Sequence, residues 1–129
     1  MMVVDASAIL AILFNEPEAD DFRDVLLRAG GGRMSPVNHW EVLVRAEAKQ
    51  GRVVRLEAEA LMADLGIEVT LASAVTSRAA ADAFQRYGKN TPGRLNLGDC
   101  FAYALAAAEG DGLLFKGDDF PRTDIKPAV

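Results

Sequence analysis

An α/β fold, with helices on both faces of a small parallel sheet, is predicted by three features of the sequence. Short apolar runs fit only strands, at Met1–Val4, Ile67–Leu71 and Gly112–Phe115. Between them lie longer stretches with helical spacing, caps and glycine stops. Strands separated by helical crossovers pair in parallel and bury both faces. Third, a chain of 129 residues that is 50% hydrophobic and 26% charged has the size and apolar content of one packed core, over 1–129.

The elements follow in order. Met1–Val4 reads as a strand ending at Asp5, and Ala6–Phe14 as a helix. A second helix is expected to begin near Glu16-Pro17, with acids in its first turn, and to stop at Gly30-Gly31-Gly32. Arg33-Met34 is too short to be read as an element. Ser35-Pro36 supplies a cap and a first-turn proline for a helix running to about Gln50-Gly51. Arg52–Leu65 continues as another helix, and Ile67–Leu71 has the β-branched content of a strand. Ser73 caps a helix that reaches Tyr87-Gly88, and Asn90-Thr91-Pro92-Gly93 marks a loop. Leu97–Glu109 is an alanine-rich helix, Gly112–Phe115 an apolar strand, and Thr123–Ile125 a last edge strand. In such sheets, sites gather at the carboxyl ends of the strands.

Composition excludes several classes. One cysteine, Cys100, forms no internal disulfide, and one histidine, His39, supplies no zinc cluster. Any metal must be held by oxygen. No run of 18 apolar residues is present and the start lacks a basic leader, so a cytoplasmic protein without membrane contact is expected. Lys and Arg total 14 against 19 acids, a net charge of −5. That balance opposes non-specific phosphate binding, yet Arg86, Lys89 and Arg94 form a basic run with no acid between Asp82 and Asp99.

Several acids are out of keeping with their surroundings. Asp5 directly follows an apolar strand; it suits a helix N-cap, and it also suits a carboxylate aimed into the crevice above the sheet. Glu41 shares a helix with Val37, Trp40, Val44 and Ala48, and steps from it place the carboxylate on that apolar stripe; the plainer reading is a pair with Arg45 one turn on. Asp99 is carried on an otherwise uncharged helical stretch, with Leu95, Ala102, Tyr103 and Ala106 at helical steps. A first-turn acid favoured by the helix dipole explains an exposed aspartate better than this one. Asp118 and Asp119 follow a strand, where Gly-Asp-Asp also suits a turn.

Together these acids say more than each alone. Two carboxylates about 4 Å apart repel by roughly 4 kcal/mol at an effective dielectric near 20, so several in one crevice require protonation or a cation. Oxygen-only ligands favour Mg2+, with Mn2+ also suitable, and such sites carry out metal-assisted phosphoryl chemistry.

The segments Val3-Val4-Asp5-Ala6-Ser7-Ala8, Met34-Ser35-Pro36 leading to Glu41, Leu95-Asn96-Leu97-Gly98-Asp99-Cys100-Phe101-Ala102, and Leu113-Leu114-Phe115-Lys116-Gly117-Asp118-Asp119-Phe120 resemble those of PIN-domain ribonucleases, specifically the VapC-like toxins of toxin–antitoxin pairs. The resemblance spans the chain in order and implies a three-layer α/β/α sandwich. It implies Mg2+-dependent endonucleolytic cleavage of structured RNA, transfer or ribosomal, with a homodimer and a cognate VapB-like antitoxin in a heterotetramer or larger complex. By position it makes Asp5 and Asp99 the metal ligands and Glu41 a further catalytic acid. Gly117 stands where many PIN domains carry the fourth acid, so Asp118 or Asp119 takes that part. Ser7 and Asn96 become polar groups that either support the acids or contact a phosphate of the RNA, and Lys89, Arg94 and Lys116 candidate RNA contacts.

Other readings compete. A Ser7–His39–Asp5 triad lacks any nucleophile-elbow motif. An aspartyl-phosphate phosphohydrolase requires an acid two residues after Asp5, where Ser7 stands. A catalytically silent PIN-like protein-binding module would have lost acids, and all four regions keep one. Cys100, Trp40, Phe101 and Tyr103 are expected in the core.

Overall fold

A computed structural model describes residues 1–129. The order is β1 (Val3–Val4), α1 (Ala6–Leu13), α2 (Ala19–Ala29), β2 (Gly32–Met34), α3 (Pro36–Gln50), α4 (Arg52–Asp64), β3 (Ile67–Val69), α5 (Ala74–Tyr87), α6 (Leu97–Glu109), β4 (Leu113–Leu114) and a 3₁₀ turn at Phe120–Arg122. The four strands lie in the order β3-β2-β1-β4, all parallel, with Val3 opposite both Arg33 and Leu113.

Strand pleating divides the core in two. Side chains of successive strand residues point to opposite faces, so Val4 and Leu114 join one buried cluster while Val3 and Leu113 join the other. Helices α1 to α4 cover the first face, with Ile9, Leu26, Val42 and Met62 buried among them. The α5–α6 pair covers the second, with Ala83, Leu95, Ala102 and Tyr103 inside. Because β1 is central, Asp5 emerges in mid-sheet at the carboxyl end of the strand.

The expected elements are present with four differences. The strand at Gly32–Met34 was not legible, because its apolar content is one methionine. Its Gly32 is fixed by packing, since an added Cβ would stand 2.7 Å from the Val4 side chain. Helix α2 starts at Ala19 rather than near Glu16, since Asn15 adopts φ 52° and ends the preceding turn. Thr123–Ile125 is not a strand. The Thr123 hydroxyl donates to the Phe120 carbonyl and accepts from the Ile125 amide, a local turn that diverts the backbone from a ladder. The parallel bridge beside β4 forms further on, where Leu113 pairs with Pro127.

The fourth difference concerns Trp40, which is 61% exposed rather than in the core. The buried stripe of α3 is Asn38, Val42 and Ala46. A polar residue leads that stripe, so counting apolar residues alone sets its phase wrongly, and Val44 and Ala48 face solvent. Cys100 and Tyr103 are buried as expected, and Phe101 is half-buried.

Candidate active site

Asp5 is buried at the carboxyl end of β1 and caps the helix that follows. As N-cap of α1, its Oδ2 accepts from the Ser7 amide at 3.1 Å and the Ser7 hydroxyl at 2.6 Å. The same hydroxyl accepts from the Lys116 amide at 2.9 Å, so Ser7 ties Asp5 to the end of β4. Only 5% of Asp5 is exposed. Burial is the main cause that lifts its pKa from 3.8 to about 6; the Ser7 hydrogen bonds oppose the rise and the Glu41 charge adds to it.

Asp99 is likewise a cap partner. Its Oδ2 accepts from the Asn96 amide at 3.1 Å while Asn96 Oδ1 accepts from the Asp99 amide at 2.9 Å, a reciprocal capping box at the start of α6. This leaves Oδ1 without a protein partner. Burial again dominates, and with the charges of Asp5, Asp119 and Glu41 it raises the Asp99 pKa to about 7, against the Asn96 hydrogen bond.

Asn38, which sequence reasoning missed, joins the two sides. It is fully buried, and its Nδ2 donates to Glu41 Oε1 at 2.8 Å and the Gly98 carbonyl at 3.0 Å, with Asp5 Oδ1 at 3.5 Å. Two hydrogens therefore face three acceptors, two of them acid oxygens. Ser35, the N-cap of α3, fixes the amide by donating to Asn38 Oδ1 at 2.6 Å. The available signal was the Ser-Pro-x-Asn start of α3, which places an amide three residues into the helix beside the cap. Glu41 is aimed at α6 by this amide, and Gly98 makes the room: an added Cβ there would collide with the Glu41 carboxylate. Arg45 holds the other Glu41 oxygen only loosely, at 3.6 Å.

The remaining candidates separate. Asp118 and Asp119 are both exposed, and the charge of Asp119 is among those that raise Asp99. Buried Phe120 anchors this segment. Lys116 turns its ammonium to the α1–α2 connection, at 2.7 Å from Glu16 and 3.4 Å from Glu18, rather than offering it to the cleft. Lys89 and Arg94 border a groove that reaches Asn96. His39 has no side-chain bond to Ser7, whose hydroxyl is committed to Asp5 and Lys116. The Cys100 thiol is pushed up to about 11, chiefly by burial and then by the Asp99 charge, so it stays protonated.

Asp5, Glu41 and Asp99 thus face one cleft from β1, α3 and α6. They do not form a closed cage of three ion-binding side chains, since the Asn38 amide lies between Asp5 and Glu41. The donor set suits a hard divalent cation: every donor is oxygen, Asp5 and Asp99 are buried and resist ionisation, and Asp99 Oδ1 is free.

The PIN domain family matches residues 2–126 of the chain. Ribonuclease VapC42 of Mycobacterium tuberculosis is 41% identical over 129 residues, covering 98% of each chain. Ribonuclease VapC30 of the same species is 36% identical over 125 residues, with 96% of this chain and 95% of that protein covered. Among solved structures, that of Mycobacterium tuberculosis VapC20, described as a sarcin-ricin loop cleaving toxin, superposes with a TM-score of 0.76 at 15% identity, over 97% of this chain and 96% of the other.

Proposed function

Since the chain belongs to the PIN-domain family and lies among its VapC ribonucleases, we propose that it is an endoribonuclease toxin that depends on Mg2+, or Mn2+ in its place, to cut structured RNA. The observation that carries this reading is the convergence of Asp5, Glu41 and Asp99 at the carboxyl end of β1, two of them with strongly raised pKa values.

When bound, the ion supplies Lewis acidity for phosphodiester hydrolysis. Asp5 and Asp99 would hold it, being the two buried acids of the cluster. Glu41, aimed by Asn38 and seated on Gly98, orients the attacking water and takes its proton as oxygen adds to phosphorus and the bond to the leaving oxygen breaks. Asp119 lends a further carboxylate from the rim. Ser7 and Asn96 fix Asp5 and Asp99 without touching substrate. The protein works in the cytoplasm as a homodimer, and a VapB-like antitoxin silences it in a heterotetramer or larger complex. No helix is long and apolar enough to cross a membrane.

The test is cleavage of total RNA by purified protein with Mg2+ or with EDTA, followed by sequencing of the new RNA ends. Discrete cuts that vanish with EDTA and in Asp99→Asn are expected. Equal cutting by that variant, or no cutting by the parent with Mg2+, would overturn the reading.

A further inference from the structure

The acids explain hydrolysis but repel the polyanion they act on, so attraction has to come from elsewhere on the molecule. Beside the site runs a groove of about 590 Å³ lined by Lys89, Asn90, Thr91, Pro92, Arg94 and Arg122. It holds three cations and no carboxylate, and none of the three takes part in an ion pair; all the ion pairs lie elsewhere. In a chain of net charge −5 this is a local reversal of sign. A second groove, of about 460 Å³, shares Lys89 and Arg94 and adds Phe84, Leu95 and Asn96. The two thus share a wall, and the second reaches Asn96, the residue that caps α6, three positions before Asp99. Phe84 is 46% exposed, an aromatic face beside two cations.

The walls are built rather than loose. Thr91 Oγ1 donates to the Gly88 carbonyl at 2.9 Å and accepts from the Gly93 amide at 3.2 Å, and the Leu95 amide reaches the Tyr87 carbonyl at 2.7 Å. Arg122 donates to the Pro92 carbonyl at 3.2 Å, which joins the 3₁₀ turn to this loop across the groove. Arg94, which lines both grooves, holds φ 55°, a left-handed conformation uncommon for a residue with a side chain.

We infer that this groove is the track for a single-stranded flank of the RNA substrate: Lys89, Arg94 and Arg122 bind its phosphates, and Phe84 stacks on a base next to the cleft. The inference rests on the ribonuclease reading and adds where the strand lies. A cationic groove with an adjoining aromatic is the pattern that takes single strands without base-specific hydrogen bonds. An acidic protein segment would use the cations but has no need of the ring, so RNA is the occupant the lining favours.

The experiment measures binding of a labelled single-stranded oligoribonucleotide of about 12 nucleotides to the full chain in EDTA, where hydrolysis is off, across a salt series. Each phosphate contact adds about 0.7 to the slope of log affinity against log salt for single strands. Lys89→Ala, Arg94→Ala and Arg122→Ala should each lower the slope by about that amount, and the triple variant by about 2. The single variants keep the test readable if the triple variant does not fold. Arg94→Lys and Arg122→Lys should restore most of the slope, and Phe84→Ala should weaken binding about tenfold with the slope unchanged. Parental affinity and slope in the triple variant would overturn the inference. So would a triple variant that keeps RNA affinity but loses binding of polyglutamate, which would assign the groove to an acidic polypeptide. Failure of the parent to cut RNA with Mg2+ would instead remove the ribonuclease reading, and these isotherms would remain measurable.

Discussion

Asp99 carries opposite demands: it caps α6, and its carboxylate lies buried within reach of three other acids. Replacing it with Asn keeps an oxygen for the Asn96 amide and removes the charge. Asp99→Asn should therefore abolish cleavage while stabilising the metal-free protein at pH 8 by about 2 kcal/mol, which corresponds to several degrees in Tm. A melting scan in EDTA checks this. The raised pKa values also fix the sign of the pH dependence. Folded Asp5 and Asp99 keep protons up to about 6 and about 7, whereas the unfolded carboxyls lose them near 3.8. The folded state thus binds more protons between these limits, and metal-free stability should fall as pH rises from about 4 to about 7. Urea midpoints at pH 5 and pH 8 in EDTA should differ in that direction. Asn38 supplies a third case: Asn38→Ala strips the donor from half-buried Glu41 and from the Gly98 carbonyl, and should cost about 1 to 3 kcal/mol. It should also lower cleavage, because Glu41 loses its aim.

At the scale of elements, α6 and the chain after β4 are linked by one polar latch. The Tyr103 hydroxyl donates to Asp124 Oδ1 at 2.5 Å, and Arg86 of α5 lies 3.5 Å from the same carboxylate. The hydroxyl bond and the guanidinium charge hold Asp124 below the usual carboxylate range, and burial with the Asp124 bond pushes the Tyr103 phenol up. This latch fixes the segment that bears Asp119. Tyr103→Phe should cost about 1 kcal/mol and speed amide exchange through residues 119–126, which hydrogen-exchange mass spectrometry would show. Legibility in the sequence divides by element as well. Helices with caps and glycine stops, such as α3 and α6, read out almost to the residue, because cap chemistry is local. The strand Gly32–Met34 did not, since its place depends on Val4 and β3 across the sheet rather than on its own composition. Asp5 and Asp99 were legible as charges in apolar settings. Asn38 was not, because an amide in a helix looks ordinary until its three acceptors, from β1, α3 and α6, are seen together.

For the molecule as a whole, the acids that meet in the cleft store repulsion that a cation would relieve. Mg2+ at about one hundred times its Kd should therefore raise stability by about 2.7 kcal/mol, and Asp99→Asn should lose most of that gain. A titration of Tm against Mg2+ with the two proteins side by side measures both. The distribution of charge also separates two surfaces. The acids and the Lys89, Arg94 and Arg122 groove are separate, and on the proposed reading raising salt should raise KM more than it lowers kcat.

The position of β1 carries one last consequence. This strand sits between β2, supplied soon after it, and β4, supplied near the other end of the chain. A growing polypeptide can therefore make only half of the contacts that seat Asp5, and neither Asp99 nor the Lys116 amide behind Ser7 exists until late. A partly made molecule thus lacks the seat of Asp5 and its neighbour Asp99 until the chain has grown past Lys116.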